Sequence, residues 1–410
     1  MNYIVNCFSK DIKGEIILPA SKSISNRLLI IKALANHSFE VYNVSDSDDT
    51  HVMLEAFRSA SNEINIGHAG TSMRFLTAYY AATGQKKTIT GSERMKNRPI
   101  KELVDSLNQL GADITYLEKE GFPPLQTSGK PLNGHHISIN GSISSQYITA
   151  LLLVAPSLPQ GLTITINEKL ISSSYVLLTL KLMKQFGIHY TWNDNVITIP
   201  PQTYTGAGIT VEADWSGASY WYQIAALSKD CHIIIHGLSQ QSFQGDSALV
   251  KLFEKIGVKS MFVDHSVLLK KEAVDTKFFE FDFINNPDLV QTFVVTLCLL
   301  HIPFRISGAD TLRIKETDRI NALQVEMHKM GYNITESSPG VLEWDGVHHH
   351  PLKHIEIDTY KDHRMALAFA PAALKVNNLV INDAMVITKS YPNFWNDLVL
   401  VGFELKANLA

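Results

Sequence analysis

LVDSLNQLGADITY, residues 103–116, sets apolar side chains at Leu103, Val104, Leu107 and Leu110, then Gly111, then an alternating run around Ile114. Spacings of three and four predict an amphipathic helix, the glycine predicts its C-cap, and the alternation predicts a strand. The same sentence recurs at 178–192, 249–263, 323–335 and 394–405, with Gly187, Gly257, Gly331 and Gly402 following at intervals of roughly 70 to 76 residues.

Between these copies lies a second kind of helix, small and apolar nearly all round, which is the composition of a helix enclosed by protein. Six segments qualify: 21–34, 70–82, 144–155, 214–227, 288–300 and 362–374, each followed by a short β-like run such as 41–44, 88–90 or 233–235. The expected architecture is α/β, with six β-α-β-α-β-β units, three to a domain, and buried helices inside a shell of sheets and amphipathic helices. Only residues 59–66 separate the first amphipathic helix from the next buried one, so one or two strands are trimmed from the first unit.

Length agrees with two domains, because 410 residues exceed what one core organises. The first fourteen residues mix Asn6, Ser9, Lys10 and Asp11 with apolar ones, unlike a secretory leader, and no apolar run approaches the roughly 20 residues that span a bilayer. Cys7, Cys231 and Cys298 have no paired spacing, so neither a disulfide framework nor a zinc site is expected, and a reducing cytoplasm fits. A net charge of −4 argues against a nucleic-acid surface. There is no P-loop, and the run His348 to His350 has the surroundings of a loop and no accompanying carboxylate cluster. Trp215, Trp221 and Tyr222 read as core aromatics.

Arginine is the local exception to this bland surface. The chain has nine, none between Ile100 and His301, and several lie inside short polar motifs where a planar fork suits a carboxylate or phosphate. The buried helices also begin with polar residues: Ser21, Lys22 and Ser23; Gly70 and Thr71; Ser144, Ser145 and Gln146; Asp288; Asp362, His363 and Arg364. Helix starts present unpaired N–H groups to anions, although serine and aspartate there also serve as ordinary caps. Lys22, Arg27 and Arg364 are unfavourable beside a positive helix end and are expected to meet an external anion. Lys315 and Arg319, one turn apart at the start of another helix, are expected to flank Glu316. Lys389 follows the last strand, in the stretch 388–392, and has a surface-lysine reading beside the functional one.

Taken together, ASKSISNR (20–27), AGTSMR (69–74), MKNRPI (95–100), SSQYITALL (144–152), KETDR (315–319) and DHRMA (362–366) resemble the EPSP synthase family over nearly the whole chain. The resemblance implies two inverse α/β domains closing over a central cleft: residues 21–212, and residues 213–410 together with 1–20. It implies transfer of the enolpyruvyl group of phosphoenolpyruvate to the 5-hydroxyl of shikimate 3-phosphate by addition and elimination, in a cytoplasmic monomer that needs no metal or organic cofactor and is a glyphosate target.

Carried over by matching motif, shikimate 3-phosphate is met by Lys22, Ser23, Arg27, Ser144, Ser145, Gln146, Ser172, Tyr175, Asp288 and Lys315. Phosphoenolpyruvate is met by Lys22, Gly70, Arg98, Gln146, Arg319, Arg364 and Lys389. Asp288 is implied to hold or deprotonate the 5-hydroxyl, Glu316 to exchange the proton at C3, and Lys22 to stabilise charge and assist proton transfer. The chain departs from the family's pattern at Ala20, His68, Phe75 and Thr311, where glycine, asparagine, proline and asparagine are usual. Two other readings are weaker. The sister enzyme acting on UDP-N-acetylglucosamine usually carries a loop cysteine, and none lies between Cys7 and Cys231. A non-catalytic anion binder has no use for Asp288 and Glu316.

Overall fold

The computed structural model describes residues 1–408. Its twelve α-helices, in chain order, are α1 (Lys22–Leu34), α2 (Asp48–Arg58), α3 (Gly70–Ala82), α4 (Lys101–Gln109), α5 (Ser145–Val154), α6 (Ser173–Gln185), α7 (Trp215–Leu227), α8 (Leu249–Glu254), α9 (Val290–Leu299), α10 (Arg319–Lys329), α11 (His363–Phe369) and α12 (Phe394–Leu400). Odd and even members differ in kind. Every residue of α9 and of α11 is buried, as are twelve of the thirteen in α7, whereas α4 buries only Leu103, Val104, Ser106 and Leu107. The alternation of enclosed and amphipathic helices is the one the repeats predict.

Packing divides the chain into two units, residues 21–211, and residues 1–20 with 212 onward. In each full repeat the first two strands are parallel and the last two antiparallel, giving the spatial order first, second, fourth, third. Phe279–Asp282 runs parallel to Phe304–Ser307, which is antiparallel to Val341–Trp344, which pairs with Thr335–Ser338. The sheet holding Glu63–Asn65, Thr88–Thr90, Leu125–Thr127 and Ile114–Tyr116 has the same order. A parallel pair needs a long crossover, and the odd-numbered helix supplies it. In the discontinuous unit, Asp11–Ile17 provides the first strand beside Asp230–His236, and Asn2–Asn6 lies between Leu379–Ile381 and Glu404–Asn408. The first repeat keeps two strands, Val41–Tyr42 and Ile209–Thr210, because the chain leaves α2 and enters the next sheet too soon to make a hairpin.

The enclosed helices are held by apolar contact. Phe293 of α9 packs against Phe253, Phe279 and Phe283 with ring centroids 4.6, 5.5 and 5.1 Å away, and burying such a side chain contributes about 1.5–3 kcal/mol. Trp215, Trp221 and Tyr222 of α7 are likewise fully buried. Among the described residues no helix is long and apolar enough to cross a membrane, and none of His, Cys, Asp or Glu cluster in a way that would hold a metal ion.

The five repeat glycines all have φ between 82° and 108°, the left-handed cap geometry. At Gly257 the space is also taken, since a Cβ would lie 2.7 Å from the main-chain oxygen of Glu272. Gly257→Ala is expected to cost about 2 kcal/mol or more from left-handed strain and overpacking, read as a lowered unfolding midpoint.

Candidate active site

In unit 21–211 the starts of α1, α3, α5 and α6 carry the predicted residues. Ser21 and Ser144 cap α1 and α5 with their hydroxyls, accepting from the N–H groups of Ile24 and Gln146, so these serines do serve as caps. Gln146 donates from Nε2 to Thr71 Oγ1 at 3.4 Å, which ties the first turn of α5 to that of α3. Ser145 is buried beside it. Ser172 precedes α6 in the left-handed region, with φ 53°, and is buried.

Lys22 was expected to need an external anion, but its Nζ stands 3.5 Å from Asp49 Oδ2, a buried carboxylate of α2. Arg27 is held differently. It is 3% exposed and donates to Thr179 Oγ1 at 2.8 Å, Ser23 O at 2.7 Å and Tyr175 O at 3.3 Å, and among the described residues no carboxylate pairs with it. Its guanidinium carbon sits 5.6 Å from the Phe75 ring centroid and 6.0 Å from that of Tyr175. Burial pushes it down to about 10, with Tyr175 opposing. A buried cation met by oxygens and π faces keeps donors for an anion.

Gly70 opens α3, and the Arg98 guanidinium lies directly over it: a Cβ on Gly70 would fall 2.9 Å from Arg98 Cζ and closer still to Nη1. Arg74 arranges this contact, donating to Gly70 O at 3.1 Å and to Pro99 O at 2.7 Å, with Tyr147 donating to the same Pro99 oxygen at 2.5 Å.

In the other unit the charged residues form one knot. Arg319, 1% exposed, donates to Asp362 from Nε at 2.7 Å and from Nη2 at 3.2 Å, to Glu316 at 3.0 Å and to Asp288 at 3.3 Å. Arg364 pairs with Asp288 Oδ2 at 2.7 Å and also donates to Asp288 O at 3.2 Å and Tyr220 Oη at 3.3 Å. Lys389 reaches Glu316 Oε1 at 2.7 Å and is buried, not a surface lysine. Three cations therefore face three carboxylates. Arg319 is raised well above the usual arginine range: burial alone would lower it, and the surrounding charges of Asp362, Glu316 and Asp288 prevail.

Arg364, like Lys22, has a carboxylate partner in its own unit. Two expectations are corrected here. Asp288 lies in the 3-10 turn Pro287–Leu289 ahead of α9, where Pro287 leads the chain in, and the N-cap position of α9 is Leu289. Lys315 and Arg319 do not share a helix face, because Asp318 caps α10 and helix begins only at Arg319; Glu316 is flanked by Arg319 and Lys389 instead. Of the departures noted in the sequence, Phe75 is buried under Arg27, His68 Nδ1 is 2.8 Å from Ser92 Oγ, Ala20 bridges Ala213, and the Thr311 hydroxyl is buried without a partner.

Sequence reading passed over several partners. Asp49 sits in DSDDT, where three aspartates read as a helix start, and Tyr220 lies in an apolar helix where nothing marks it from core. Asp246 is buried, accepts from Ser216 Oγ at 2.6 Å and Asn286 Nδ2 at 3.3 Å, and is pushed up to about 6 by burial first and then by the charge of Asp288.

Comparison with known proteins puts these motifs in a family. The chain matches the description EPSP synthase (3-phosphoshikimate 1-carboxyvinyltransferase) over residues 8–65 and 59–398. It belongs to the EPSP synthase family. A 3-phosphoshikimate 1-carboxyvinyltransferase of Bacteroides fragilis strain YCH46 is 48% identical over 407 residues, covering 99% of each chain. Another, from Colwellia psychrerythraea, is 36% identical, covering 95% of this chain and 97% of its own. A solved EPSP synthase from Acinetobacter baumannii has the same fold, with a TM-score of 0.77 at 20% identity over 99% of this chain and 100% of that one. The enolpyruvyl transferase NikO from Streptomyces tendae shares it too, with a TM-score of 0.75 at 16% identity, over 100% of this chain and 99% of that one.

Proposed function

We propose that the chain transfers the carboxyvinyl group of phosphoenolpyruvate to the 5-hydroxyl of shikimate 3-phosphate, releasing phosphate. The observation that carries this reading is the knot of Arg319, Arg364 and Lys389 with Asp288, Glu316 and Asp362, in a chain of this family. A binder of anions would keep the cations and dispense with carboxylates among them; addition followed by elimination needs groups that move protons.

Asp288 takes the 5-hydroxyl proton as that oxygen attacks C2, and Glu316 delivers a proton to C3. In the second half Glu316 recovers a proton from the new methyl group, the C2–O bond to phosphate breaks, and the hydroxyl proton leaves with phosphate. Lys22 and Lys389 stabilise charge as it develops. Arg98, Arg319 and Arg364, with Gly70 and Gln146, hold phosphoenolpyruvate, so its anionic groups compete with Asp288 and Glu316 for the same guanidinium groups. Ser23, Arg27, Ser144, Ser145, Ser172, Tyr175 and Lys315 serve shikimate 3-phosphate. Three buried, unpaired cysteines agree with a cytoplasmic setting.

The test is phosphate release from purified protein given phosphoenolpyruvate and either shikimate 3-phosphate or UDP-N-acetylglucosamine. Release with shikimate 3-phosphate alone is the expected result; release with the nucleotide sugar alone, or with neither, overturns the reading. Within it, Gly70→Ala is expected to raise the KM for phosphoenolpyruvate about tenfold or more by displacing the Arg98 fork, a charged hydrogen bond, while the KM for shikimate 3-phosphate changes less.

A further inference from the structure

Immediately before α11, Tyr360 and Lys361 have φ of 53° and 56°. Two consecutive residues with side chains in the left-handed region are rarely tolerated without something holding them. Helix α10 grips this segment at both ends. At its N-terminus Arg319 holds Asp362 by two hydrogen bonds, and Asp362 in turn caps α11, accepting from the Arg364 N–H at 3.0 Å.

Two turns further along α10, Glu326 holds the other end. Its side chain is fully buried; Oε1 accepts from the Tyr360 hydroxyl at 2.6 Å, and Oε2 accepts from the Asp358 main-chain N–H at 3.2 Å. Lys329 closes the group, 2.8 Å from Glu326 Oε2, and donates to Asp358 Oδ2 at 3.1 Å and Glu356 O at 2.9 Å, while Asn382 donates to Asp358 Oδ1 at 2.9 Å. A buried carboxylate spent on a loop, rather than on substrate or on a helix contact, needs a reason. The reason offered by the geometry is that the clamp holds residues 358 and 360, so only Lys361 separates it from Asp362, and the left-handed pair sets the direction in which the chain enters α11.

We propose that Glu326 and Tyr360 are positioning residues for Asp362 and Arg364: they hold the left-handed turn that aims the start of α11. The proposal rests on the reading above that Arg364 meets phosphoenolpyruvate. Neither residue touches the knot itself, so their influence passes through the backbone of 358–362. Burial, together with the neighbouring Glu326 carboxylate, pushes the Tyr360 phenol above its ordinary range, so it donates this hydrogen bond throughout the working pH range.

Tyr360→Phe removes only the hydroxyl and tests the clamp with the least risk to folding. Loosening a substrate-orienting arginine is expected to raise the KM for phosphoenolpyruvate about tenfold, leaving that for shikimate 3-phosphate within about twofold, and to speed amide exchange over 358–364. Adding Lys361→Gly, at an exposed position outside the site, is expected to restore both readouts, because glycine takes the left-handed backbone unaided. Glu326→Gln, which keeps the shape, is expected to behave like Tyr360→Phe. A lowered unfolding midpoint with parental KM values, an equal rise in both KM values, or no rescue by Lys361→Gly overturns the proposal. Parental turnover is measured first; its absence counts against the proposed function alone, because exchange over 358–364 and its rescue still decide the clamp.

Discussion

Glu316→Gln is expected to lower kcat by about 10²- to 10⁴-fold, the range for loss of a positioned proton-transfer group, without raising the KM for phosphoenolpyruvate. Glutamine keeps the shape of the side chain between Arg319 and Lys389 but cannot exchange a proton with C3. It also withdraws a negative charge that competes with substrate for both cations, so binding is unchanged or tighter while turnover collapses. Deuterium uptake from solvent into the C3 position of phosphoenolpyruvate gives the second readout and should fall in parallel with kcat. A variant with near-parental kcat and a raised KM would make Glu316 a residue that only arranges Lys389 and Arg319.

Arg319→Met is expected to be the most damaging single change in its unit. It strips Asp362, wholly buried, of two hydrogen bonds and its counter-charge, and takes one partner each from Glu316 and Asp288. Breaking a buried pair from one side costs about 3–5 kcal/mol, because the remaining charge is left in a poor solvent. Thermal unfolding should therefore shift markedly downward, and turnover should be lost. The cause is separable from the loss of side-chain packing: Asp362→Asn placed on Arg319→Met should recover part of the stability and none of the activity. If it recovers nothing, the packing of the arginine stem carries the effect.

The fold could be read from the sequence because its signals are local. Gly111 and its four counterparts mark helix ends within one turn of chain, and the enclosed helices announce themselves by having no polar face. The trimmed first repeat was legible for the same reason, as a count of residues between two helices. Ion pairing is not local. Lys22 with Asp49, Arg364 with Asp288 and Lys389 with Glu316 are 27, 76 and 73 residues apart, and no pattern along the chain says which carboxylate a buried cation will meet. Lys315 was misplaced by treating KETDR as helical throughout, when the Asp318 side chain, accepting from the Asn321 N–H, ends the loop one residue before Arg319. Glu326 reads along the chain as one more charge on an amphipathic helix, and only the return of residues 358–362 gives it a role.

The discontinuous unit has a consequence for biosynthesis. Strands Asn2–Asn6 and Asp11–Ile17 are made before residues 21–211, yet their partners are Asp230–His236, Leu379–Ile381 and Glu404–Asn408. Residues 21–211, a compact unit by themselves, can close while those two strands wait unpaired. The nascent chain thus carries unpaired strand edges until residues 230–408 are made, and chaperones meet a protein with one unit closed and the other unfinished.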